Sequence, residues 1–364
     1  MNESKKVPMK LWMMKTVVLG WLTAALLAAC AIGPREPRPP LMTVQPRAET
    51  APVVSTDDAA DDPAIWINPA NPAASRVLGT DKGFGVEVYD LQGNKLQSIA
   101  AGRTNNIDLR PLPEGGAYVA LAAASNRSTN TISLFGIAGD GTVTWQQGQD
   151  IVTGLTEPYG LCMYQDAAGL QVFVNDTDGR YQQWLLRSQG AGGTGFTADR
   201  VREFRVASQP EGCVADDRHQ RLFVGEEGAG VWVVDARYSA PAELQLLAPV
   251  DRRILTADVE GMSLYEAGDS GYLVVSSQGS HSYAVFDRLP PFAFRGHFRV
   301  VDDPANGLDG SQETDGLAVV SAPLGPDYPR GLLVVQDGSN TAPRDLQNFK
   351  YISWADVATA LGLN

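Results

Sequence analysis

Short apolar segments that alternate with polar positions recur along the chain from about residue 49 to its end. Val and aromatic side chains are frequent in them, and Gly, Asp, Asn or Pro separate them, as in β-strands joined by tight turns. Examples are Tyr118–Ala122, Thr131–Phe135, Leu170–Val174, Arg221–Gly225, Val231–Asp235, Gly271–Val275 and Gly331–Val335. Before the terminal segment Trp354–Leu363 no long stretch shows a convincing helical period, so the pattern predicts an all-β protein.

A longer repeat connects these strands: an apolar strand, an acidic or amide turn, and then a strand that contains an aromatic residue. It is clearest in Leu78–Asp90, Leu222–Asp235 and Leu273–Asp287. Repeated short antiparallel sheets over about 315 residues, at about 50 residues each, predict a six-bladed β-propeller. The period is degenerate, and by itself it leaves a large β-sandwich or a β-helix open.

The first thirty residues differ from the rest of the chain. Four lysines precede the apolar run Thr16–Ala29, which ends at Cys30. This order is typical of a secretory signal, and the run is shorter than the roughly 20 residues of a membrane-spanning helix. Leu27–Cys30 also resembles a bacterial lipobox, which predicts lipidation of Cys30; a plain signal and an uncleaved anchor are the alternatives.

These features predict three regions in the chain: a lipoprotein signal peptide over residues 1–29, a tether over 30–48 and a propeller domain over 49–364. Five prolines between Ala31 and Arg47 predict an extended tether. Ala31 is not the Asp that usually retains lipoproteins in the inner membrane. We therefore expect an exported, outer-membrane lipoprotein that touches the membrane only through its lipid.

The chain is acidic, with a formal charge of −13. Such a chain repels phosphate backbones, so nucleic-acid binding is not expected. Beyond the signal only three lysines remain, Lys82, Lys95 and Lys350. Three cysteines are too few for a disulfide scaffold in a domain of this size.

Carboxylates are concentrated where the predicted strands end. The clusters are Asp57–Pro63, Asp176–Gly179, Glu211–Gly212, Glu226–Gly228, Asp258–Gly261, Asp309–Gly310, Glu313–Gly316 and Gln336–Gly338. One such cluster is usually only a turn. In a propeller, however, equivalent strand ends meet at one mouth of the central channel, where converging carboxylates repel each other unless cations lie between them. Oxygen ligands at flexible spacing favour Ca²⁺, and three scattered histidines do not form a zinc site.

Two cations stand among these acidic turns, Lys82 in Gly79–Gly83 and Arg127 in Ala122–Ser128. Cations that face an acidic metal pocket suit an anionic, oxygen-rich ligand, above all phosphate. Both are plain surface cations in the alternative interpretation. The common phosphatase and nucleotide-binding motifs are missing from the sequence, so hydrolysis of a phosphate ester requires metal-activated water.

Ten motifs in register resemble those of the β-propeller phytases. They are Asp58–Trp66, Asn105–Asp108, Ala122–Ser128, Ser208–Gly212, Asp258–Gly261, Ser276–Gly279, Glu313–Gly316, Leu324–Gly331, Val335–Gly338 and Asn348–Lys350. The resemblance covers about Glu49 to Trp354. It implies a six-bladed, monomeric propeller that binds several calcium ions and hydrolyses phytate (myo-inositol hexakisphosphate) or calcium phytate.

The resemblance also implies roles for individual residues. Its catalytic mouth holds calcium through Asp61, Glu211, Asp258, Glu260 and Asp315, with Glu227, Gln278, Glu49 and Asp309 as further ligands. A structural calcium site on the rim involves Asp62 and the backbone of Pro63 and Ile107, and another involves Gln336 and Asp337. Substrate phosphates are bound by Lys82, Arg127 and Tyr159, with Asp178 close to them.

Some positions depart from the family pattern or stay open. Thr177 stands where the family often has a lysine, so one phosphate contact is weaker or is replaced by Arg180. Cys162 and Cys213 form either a disulfide or two buried thiols. Two rival functions remain: a non-catalytic calcium-loaded propeller that binds a partner or glycan at the cell surface, and a calcium-dependent lactonase or esterase. The second typically needs a histidine at the mouth, and none of the three histidines lies in a candidate mouth motif.

Overall fold

The computed structural model describes residues 38–113, 115–189, 195–341 and 346–364. The predicted signal peptide, Cys30 and residues 31–37 of the predicted tether lie outside these residues. Within them, no helix has the length and apolar character needed to cross a membrane. The α-helix found there, α1 at Trp354–Leu361, confirms the helical period of the terminal segment.

Strands and short turns make up almost all of the described chain. The first fifteen strands are β1 Leu41–Val44, β2 Ala48–Glu49, β3 Ala60–Trp66, β4 Arg76–Asp81, β5 Gly85–Tyr89, β6 Lys95–Ile99, β7 Thr104–Pro111, β8 Ala120–Asn126, β9 Thr131–Ile137, β10 Val143–Trp145, β11 Ile151–Val152, β12 Pro158–Asp166, β13 Gly169–Asp176, β14 Arg180–Gln189 and β15 Gly195–Arg205. The others are β16 Pro210–Asp216, β17 Arg221–Glu226, β18 Gly230–Asp235, β19 Gln245–Pro249, β20 Val259–Ala267, β21 Ser270–Ser277, β22 Ser282–Asp287, β23 Phe294–Val300, β24 Leu317–Val320, β25 Leu332–Asp337 and β26 Asn348–Ser353. Two short 3₁₀ turns lie at Pro72–Ala74 and Gln278–Ser280.

These strands form six sheets, which we number as blades 1 to 6 in chain order. Blades 1 to 4 begin with β3, β7, β12 and β16, and blades 5 and 6 begin with β20 and β24. Along each blade, successive strands pair antiparallel, so the chain runs back and forth from the first strand outward. The first strands of neighbouring blades contact one another around a central cavity. The prediction of an all-β, six-bladed propeller is confirmed.

The N-terminal strands complete the last two blades. β1 pairs parallel with β23 at the outer edge of blade 5, and β2 pairs antiparallel with β26 at the outer edge of blade 6. Residues 41–44 and Ala48 were predicted to belong to an extended tether, and that boundary is wrong. The reason is that backbone groups at two sheet edges take these residues as partners, so the folded domain starts before Glu49.

The core lies between blades rather than inside one compartment. Six clusters of buried hydrophobic side chains each join two adjacent blades. Strand β8 shows the cause: Ala120, Ala122 and Ala124 face blade 1, whereas Leu121 and Ala123 face blade 3. Because successive side chains point to opposite faces, a strand buried on both faces is apolar at almost every position.

A disulfide joins Cys162 in β12 to Cys213 in β16. It therefore connects the innermost strands of blades 3 and 4. The sequence left a bond and two thiols open, and the structure shows the bond.

Candidate active site

The innermost strands of blades 1 to 5 share an irregularity near their first residues. In each strand the pairing register shifts by one residue, between Ala60 and Pro63 in β3 and between Pro210 and Cys213 in β16, for example. Such β-bulges redirect side chains where a strand begins. The first residue within each bulge is Asp61, Asn105, Tyr159, Glu211 or Glu260, and Asp315 lies just before β24 in blade 6. The repeated bulge therefore brings one polar side chain per blade to the same end of the channel.

The residue after this position is glycine in four blades, and close packing explains it. A Cβ atom on Gly160 would lie 1.8 Å from the carbonyl oxygen of Glu211, and one on Gly212 would lie 2.3 Å from that of Glu260. Only glycine allows the neighbouring backbone to approach this closely. The repeated acid–glycine pairs of the sequence are thus required by the contact between blades.

A cavity of about 960 Å³ opens at this end of the propeller, and we call it the mouth. Of the residues with a predicted site role, Lys82, Tyr159, Glu211, Glu227, Asp258, Glu260, Gln278 and Asp315 line it. Asp61 is 1% exposed and is part of the same group, since its Oδ1 lies 3.9 Å from Lys82 Nζ. The structure therefore brings together the predicted catalytic mouth from five blades.

Three of these side chains form the glutamate cluster: Glu211, Glu227 and Glu260. One carboxylate oxygen of each lies within 4.8 Å of the other two. Burial, and next the charge of Glu211, raises the pKa of Glu260 well above its usual range. Burial likewise raises the pKa of Glu227 to about 7. Glu260 Oε2 and Asp61 Oδ2 are buried without a hydrogen-bond partner among the described residues. Buried carboxylates in this state are strongly destabilised unless a proton or a cation joins them.

Lys82 compensates one side of the mouth. Its ammonium donates to Asp58 Oδ1 at 2.6 Å and to Asp315 Oδ2 at 3.1 Å. The neighbouring carboxylates raise the pKa of Lys82 against the effect of burial. Asp315 also accepts a hydrogen bond from Gln278, and burial, opposed by Lys82, raises its pKa to about 6.

Arg127 does not line the mouth cavity itself but lies next to it, against Tyr159, which does. Its guanidinium donates to Asn105 Oδ1 at 3.0 Å and to Glu157 Oε1 at 2.6 Å. It also lies 5.5 Å from the centre of the Tyr159 ring, within the range of a cation–π contact. Its Nε is buried and has no hydrogen-bond partner in the described part of the chain. The mouth and its immediate surroundings thus combine buried carboxylates with two fixed cations.

Comparison with known proteins identifies the family. The family model described as Phytase matches residues 15–364. The chain is also 39% identical to the 3-phytase of Bacillus subtilis (strain 168), over 88% of this chain and 85% of that one. The chain belongs to the phytase family. A solved structure of the calcium-binding protein regucalcin from Agrobacterium tumefaciens strain C58 is similar in fold only, with a TM-score of 0.54 and 12% identity over 86% of this chain and 95% of that one.

The first predicted structural calcium site of this phytase-family chain is not on the rim. Asp62, Pro63 and Ile107 lie together, but they line the central cavity of about 510 Å³ between the first strands of the blades. Asp62 Oδ2 accepts a hydrogen bond from the Ile107 amide, and burial raises its pKa. Asp62 is the second residue of its bulge, and the second residue, unlike the first, faces the wall of the channel. For this reason the predicted site lies in the channel and not on the rim.

Residues from two different predicted calcium sites lie together around Lys350. We call this group the lysine-centred cluster: Lys350 with Glu49, Asp309 and Asp337. Glu49 and Asp309 were predicted as mouth ligands, but neither lines the mouth cavity, and both accept hydrogen bonds from the buried ammonium of Lys350. Asp337 Oδ2 lies 3.2 Å from the same nitrogen. This cluster joins the N-terminal strand β2 to blade 6.

Gln336, predicted with Asp337 as a calcium ligand, is used differently. Its side-chain oxygen accepts from the amide of Asp315, and its side-chain nitrogen donates to the carbonyl of Ala60. It therefore links blade 6 to blade 1 behind the mouth. Both ends of its side-chain amide are bonded to backbone groups. Asp337, its partner in the predicted site, belongs to the lysine-centred cluster instead.

Asp178 and Arg180 are paired with each other. Arg180 Nε lies 2.9 Å from Asp178 Oδ2, and Arg180 Nη2 lies 2.8 Å from Asp176 Oδ2. Neither Asp178 nor Arg180 lines the mouth cavity. The expectation that Arg180 supplies a missing phosphate contact is not supported, because two carboxylates already hold its donors.

Sequence reasoning missed several residues that line the mouth, Asp58 and His281 among them, and also Asn105, which lies buried behind Arg127 and Glu211. Asn105 holds the bulge position of blade 2, and the repeat could have revealed it. His281 lines the mouth, and its Nδ1 accepts from the amide of Glu313 at 2.9 Å. No candidate mouth motif contains a histidine, but a histidine nevertheless lines the mouth, so its expected absence there is wrong. His281 adopts a left-handed conformation (φ 47°) in a turn, a feature that no motif in the sequence signals.

Proposed function

We propose that this chain is a calcium-dependent phosphomonoester hydrolase that acts on phytate and releases inorganic phosphate and lower inositol phosphates. The observation that carries the proposal is the mouth itself. Buried carboxylates that lack a cation lie beside two cations that suit phosphate, on the fold of a phytase-family chain. The relative at 39% identity is a 3-phytase, which supports this substrate and reaction.

The side chains of the mouth fit calcium. Glu211, Glu227 and Glu260 offer only carboxylate oxygens, which are the ligands that Ca²⁺ prefers. The unpartnered oxygens of Glu260 and Asp61 provide further donors without breaking any hydrogen bond. Asp258 and Asp315 line the same cavity and complete the ligand set that we propose.

Each polar group of the mouth has a separate task in the reaction. Calcium bound there would polarise phosphate oxygens and lower the pKa of an attacking water. Lys82 and Arg127 orient the phosphoryl group, and their charges stabilise the negative charge that grows in the transition state. Tyr159 lines the mouth, and its ring packs against Arg127. Its hydroxyl would donate a hydrogen bond to the substrate. Burial, with the nearby carboxylates, raises the pKa of Tyr159, so this hydroxyl stays protonated and donates.

The charge of the chain makes calcium necessary for substrate binding as well. Phytate is a polyanion, and the chain carries a formal charge of −13. Without bound cations the glutamate cluster would repel it. We therefore propose that the substrate binds a calcium-loaded mouth or arrives as calcium phytate.

The first predicted structural site extends this proposal: Asp62 with the backbone of Pro63 and Ile107 is a candidate structural calcium site in the channel. In the lysine-centred cluster the ammonium of Lys350 already lies 3.2 Å from Asp337 Oδ2, so we propose no calcium ion there. The channel site would support the fold, whereas the mouth performs the reaction.

We further propose that the chain is exported and carried on the outer membrane by a lipid on Cys30. The lysines before the apolar run Thr16–Ala29 and the lipobox-like Leu27–Cys30 support this location. Metabolic labelling with a fatty-acid analogue tests it: label on the wild type and none on Cys30→Ala is expected. Equal labelling of both would contradict lipidation at Cys30.

One assay tests the proposed function directly. The chain is incubated with phytate in calcium or in excess EGTA, and released phosphate is measured with time. We expect phosphate release in calcium and none in EGTA, with activity restored when calcium is added back. Equal release in both conditions would contradict a calcium-dependent reaction, and no release in either would contradict hydrolysis.

A further inference from the structure

Asn105 differs from the other residues at the bulge positions. Four of the six positions carry a carboxylate and one carries Tyr159, whereas blade 2 carries an amide. Asn105 is fully buried, so its amide must find partners within the protein. Those partners are functional residues on both sides of it.

The two ends of the Asn105 amide contact opposite charges. Its oxygen accepts from Arg127 Nη1 at 3.0 Å, and its nitrogen donates to Glu211 Oε1 at 2.9 Å. The partners fix this orientation, because a guanidinium only donates and a carboxylate only accepts. Among residues of this size only asparagine satisfies both contacts. An aspartate would repel Glu211, and a leucine would leave Arg127 and Glu211 without these bonds.

A continuous chain of hydrogen bonds results: Glu157, Arg127, Asn105, Glu211. It connects an exposed carboxylate at the surface to a ligand of the glutamate cluster. Since Asn105 holds Oε1 of Glu211, the position of that carboxylate within the cluster depends on the amide. The position of the guanidinium depends on it too, because Arg127 Nε has no partner of its own in the described residues.

We propose that Asn105 is a positioning residue that couples the phosphate-binding cation Arg127 to the metal ligand Glu211. The inference rests on the proposed function for the identity of the two groups it couples. Asn105 itself contacts neither substrate nor metal in this proposal. Its role is to hold a positive and a negative group at a fixed separation, so that phosphate and calcium meet in one geometry.

The test uses Asn105→Ser, which keeps a polar side chain but is too short to bridge the two partners. Calcium binding to the wild type and the variant is measured by calorimetry with calcium alone. Binding of myo-inositol hexasulfate, a non-hydrolysable polyanion, is then measured in calcium. Loss of a group that orients a metal ligand typically costs about 10- to 100-fold in affinity. We expect both dissociation constants to rise by about 10-fold.

Asn68→Ser is the matched control. Asn68 is also buried, and its side-chain oxygen accepts from the amides of Ala70 and Asn71, a task that serine performs as well. We expect both dissociation constants of this variant to stay within about twofold of the wild type. Thermal unfolding of all variants separates lost coupling from lost fold. If Asn105→Ser does not fold, Asn105→Leu, which keeps the volume, replaces it with the same expected result.

A double-mutant cycle distinguishes coupling from a merely structural role. Arg127→Gln should weaken hexasulfate binding but leave calcium binding unchanged, whereas Asn105→Ser weakens both. With calcium saturating in every variant, so that the effect through Glu211 on calcium binding is removed, the double variant should bind hexasulfate no more weakly than Arg127→Gln alone, because Asn105 then acts only through Arg127. Independent, multiplying effects, or wild-type affinities in Asn105→Ser, would overturn the proposal.

The outcome is separable from that of the proposed function. If the wild type hydrolyses phytate equally well in EGTA, calcium dependence fails, and the hexasulfate cycle still judges the contact between Asn105 and Arg127. If the wild type requires calcium but Asn105→Ser matches it in both affinities, the proposed function stands and the coupling is wrong.

Discussion

Two acidic clusters in this propeller differ in how the negative charge of their carboxylates is balanced. The lysine-centred cluster surrounds the fully buried ammonium of Lys350 with the carboxylates of Glu49, Asp309 and Asp337. The glutamate cluster brings one carboxylate oxygen each of Glu211, Glu227 and Glu260 within 4.8 Å of one another, with no lysine or arginine among them. One cluster carries its own cation, and the other lacks one.

The pKa of Asp309 follows this difference, whereas in Asp337 of the same cluster burial outweighs the charge of Lys350 and raises the pKa. Although burial acts in the opposite direction, the hydrogen bond and charge of Lys350 hold the pKa of Asp309 below its usual value. In the glutamate cluster, burial raises the pKa of Glu227 to about 7, and it also raises that of Glu260. A carboxylate with a raised pKa binds a proton more readily than the same carboxylate in water does. The burial and like charges that raise the pKa also favour the binding of a cation. The comparison therefore teaches that a lysine stabilises the fold at one cluster and that its absence prepares the other for a metal.

Replacing the central lysine should give the largest effect on stability. Lys350→Met removes the ammonium but keeps most of the side-chain volume, and it leaves three carboxylates buried together. Breaking a buried charge pair in this way costs about 3–5 kcal/mol. We expect the free energy of unfolding, measured in urea with EGTA present, to fall by this amount.

The control for this prediction is Arg187→Met, which removes a cation 2.7 Å from Asp199 in an ion pair whose two side chains are both more than half exposed. A much smaller loss is expected there. An unchanged free energy of unfolding in Lys350→Met would contradict the view that its ammonium holds the cluster together.

Replacing a glutamate of the mouth should instead affect turnover. Glu211→Gln keeps the shape and the contact with Asn105 can re-form through the amide oxygen, but one negative ligand is lost. We expect kcat for phytate to fall by about 100-fold, with the melting temperature in EGTA unchanged or raised. Glu243→Gln, on an exposed glutamate, is the control. Wild-type turnover in Glu211→Gln would remove this cluster from the proposed mechanism.

The pH dependence of stability gives a third, smaller effect. Glu227 and Asp315 have pKa values of about 7 and about 6 in the folded chain, above their usual values. The folded state therefore binds protons more tightly than the unfolded state, and this stability is lost as pH rises from about 4 to about 7. In EGTA the melting temperature should fall over that range, and calcium should restore it at the upper end.

The variant Glu227→Gln sharpens this prediction, because it removes one titrating group. Its melting temperature in EGTA should depend less on pH than that of the wild type. A wild-type melting temperature that rises steadily over the same range would contradict the raised pKa values.

The smallest effect is expected at the exposed partner of Lys82. The side chain of Asp58 is 79% exposed, and it must release Lys82 before a phosphate can bind there. Exposed ion pairs contribute little, so Asp58→Asn should lower the KM for phytate by only about twofold. Steady-state kinetics measures it, and a KM that rises several-fold would show that Asp58 contributes to binding instead.

Much of this molecule could be predicted from its sequence because the repeat is local. Strand alternation and acidic turns predicted six blades, and equivalent strand ends predicted that Glu211, Glu260 and Asp315 meet. The repeat could not predict where Glu49 and Asp309 lie, because their position depends on a contact distant in sequence. Their partner Lys350 is 301 and 41 residues away along the chain, and only the closure of blade 6 by β2 brings them together.

The function of Asn105 was also beyond a search for charged residues. The repeat and the motif Asn105–Asp108 mark its position, but its role depends on Arg127 and Glu211, which only the structure places on its two sides. His281 escaped for a different reason, since its place in the mouth depends on the backbone conformation of one turn. Residue type predicted the acidic ligands, whereas contacts between blades decide the groups that orient them.

Counting bound calcium tests the central comparison most directly. Equilibrium dialysis with radioactive calcium is carried out on the wild type, on Glu260→Gln and on Asp309→Asn. We predict that Glu260→Gln loses calcium from the mouth together with its phytate hydrolysis, while Asp309→Asn keeps the mouth's calcium and its turnover. Unchanged calcium binding in Glu260→Gln, with hydrolysis intact, would contradict the account.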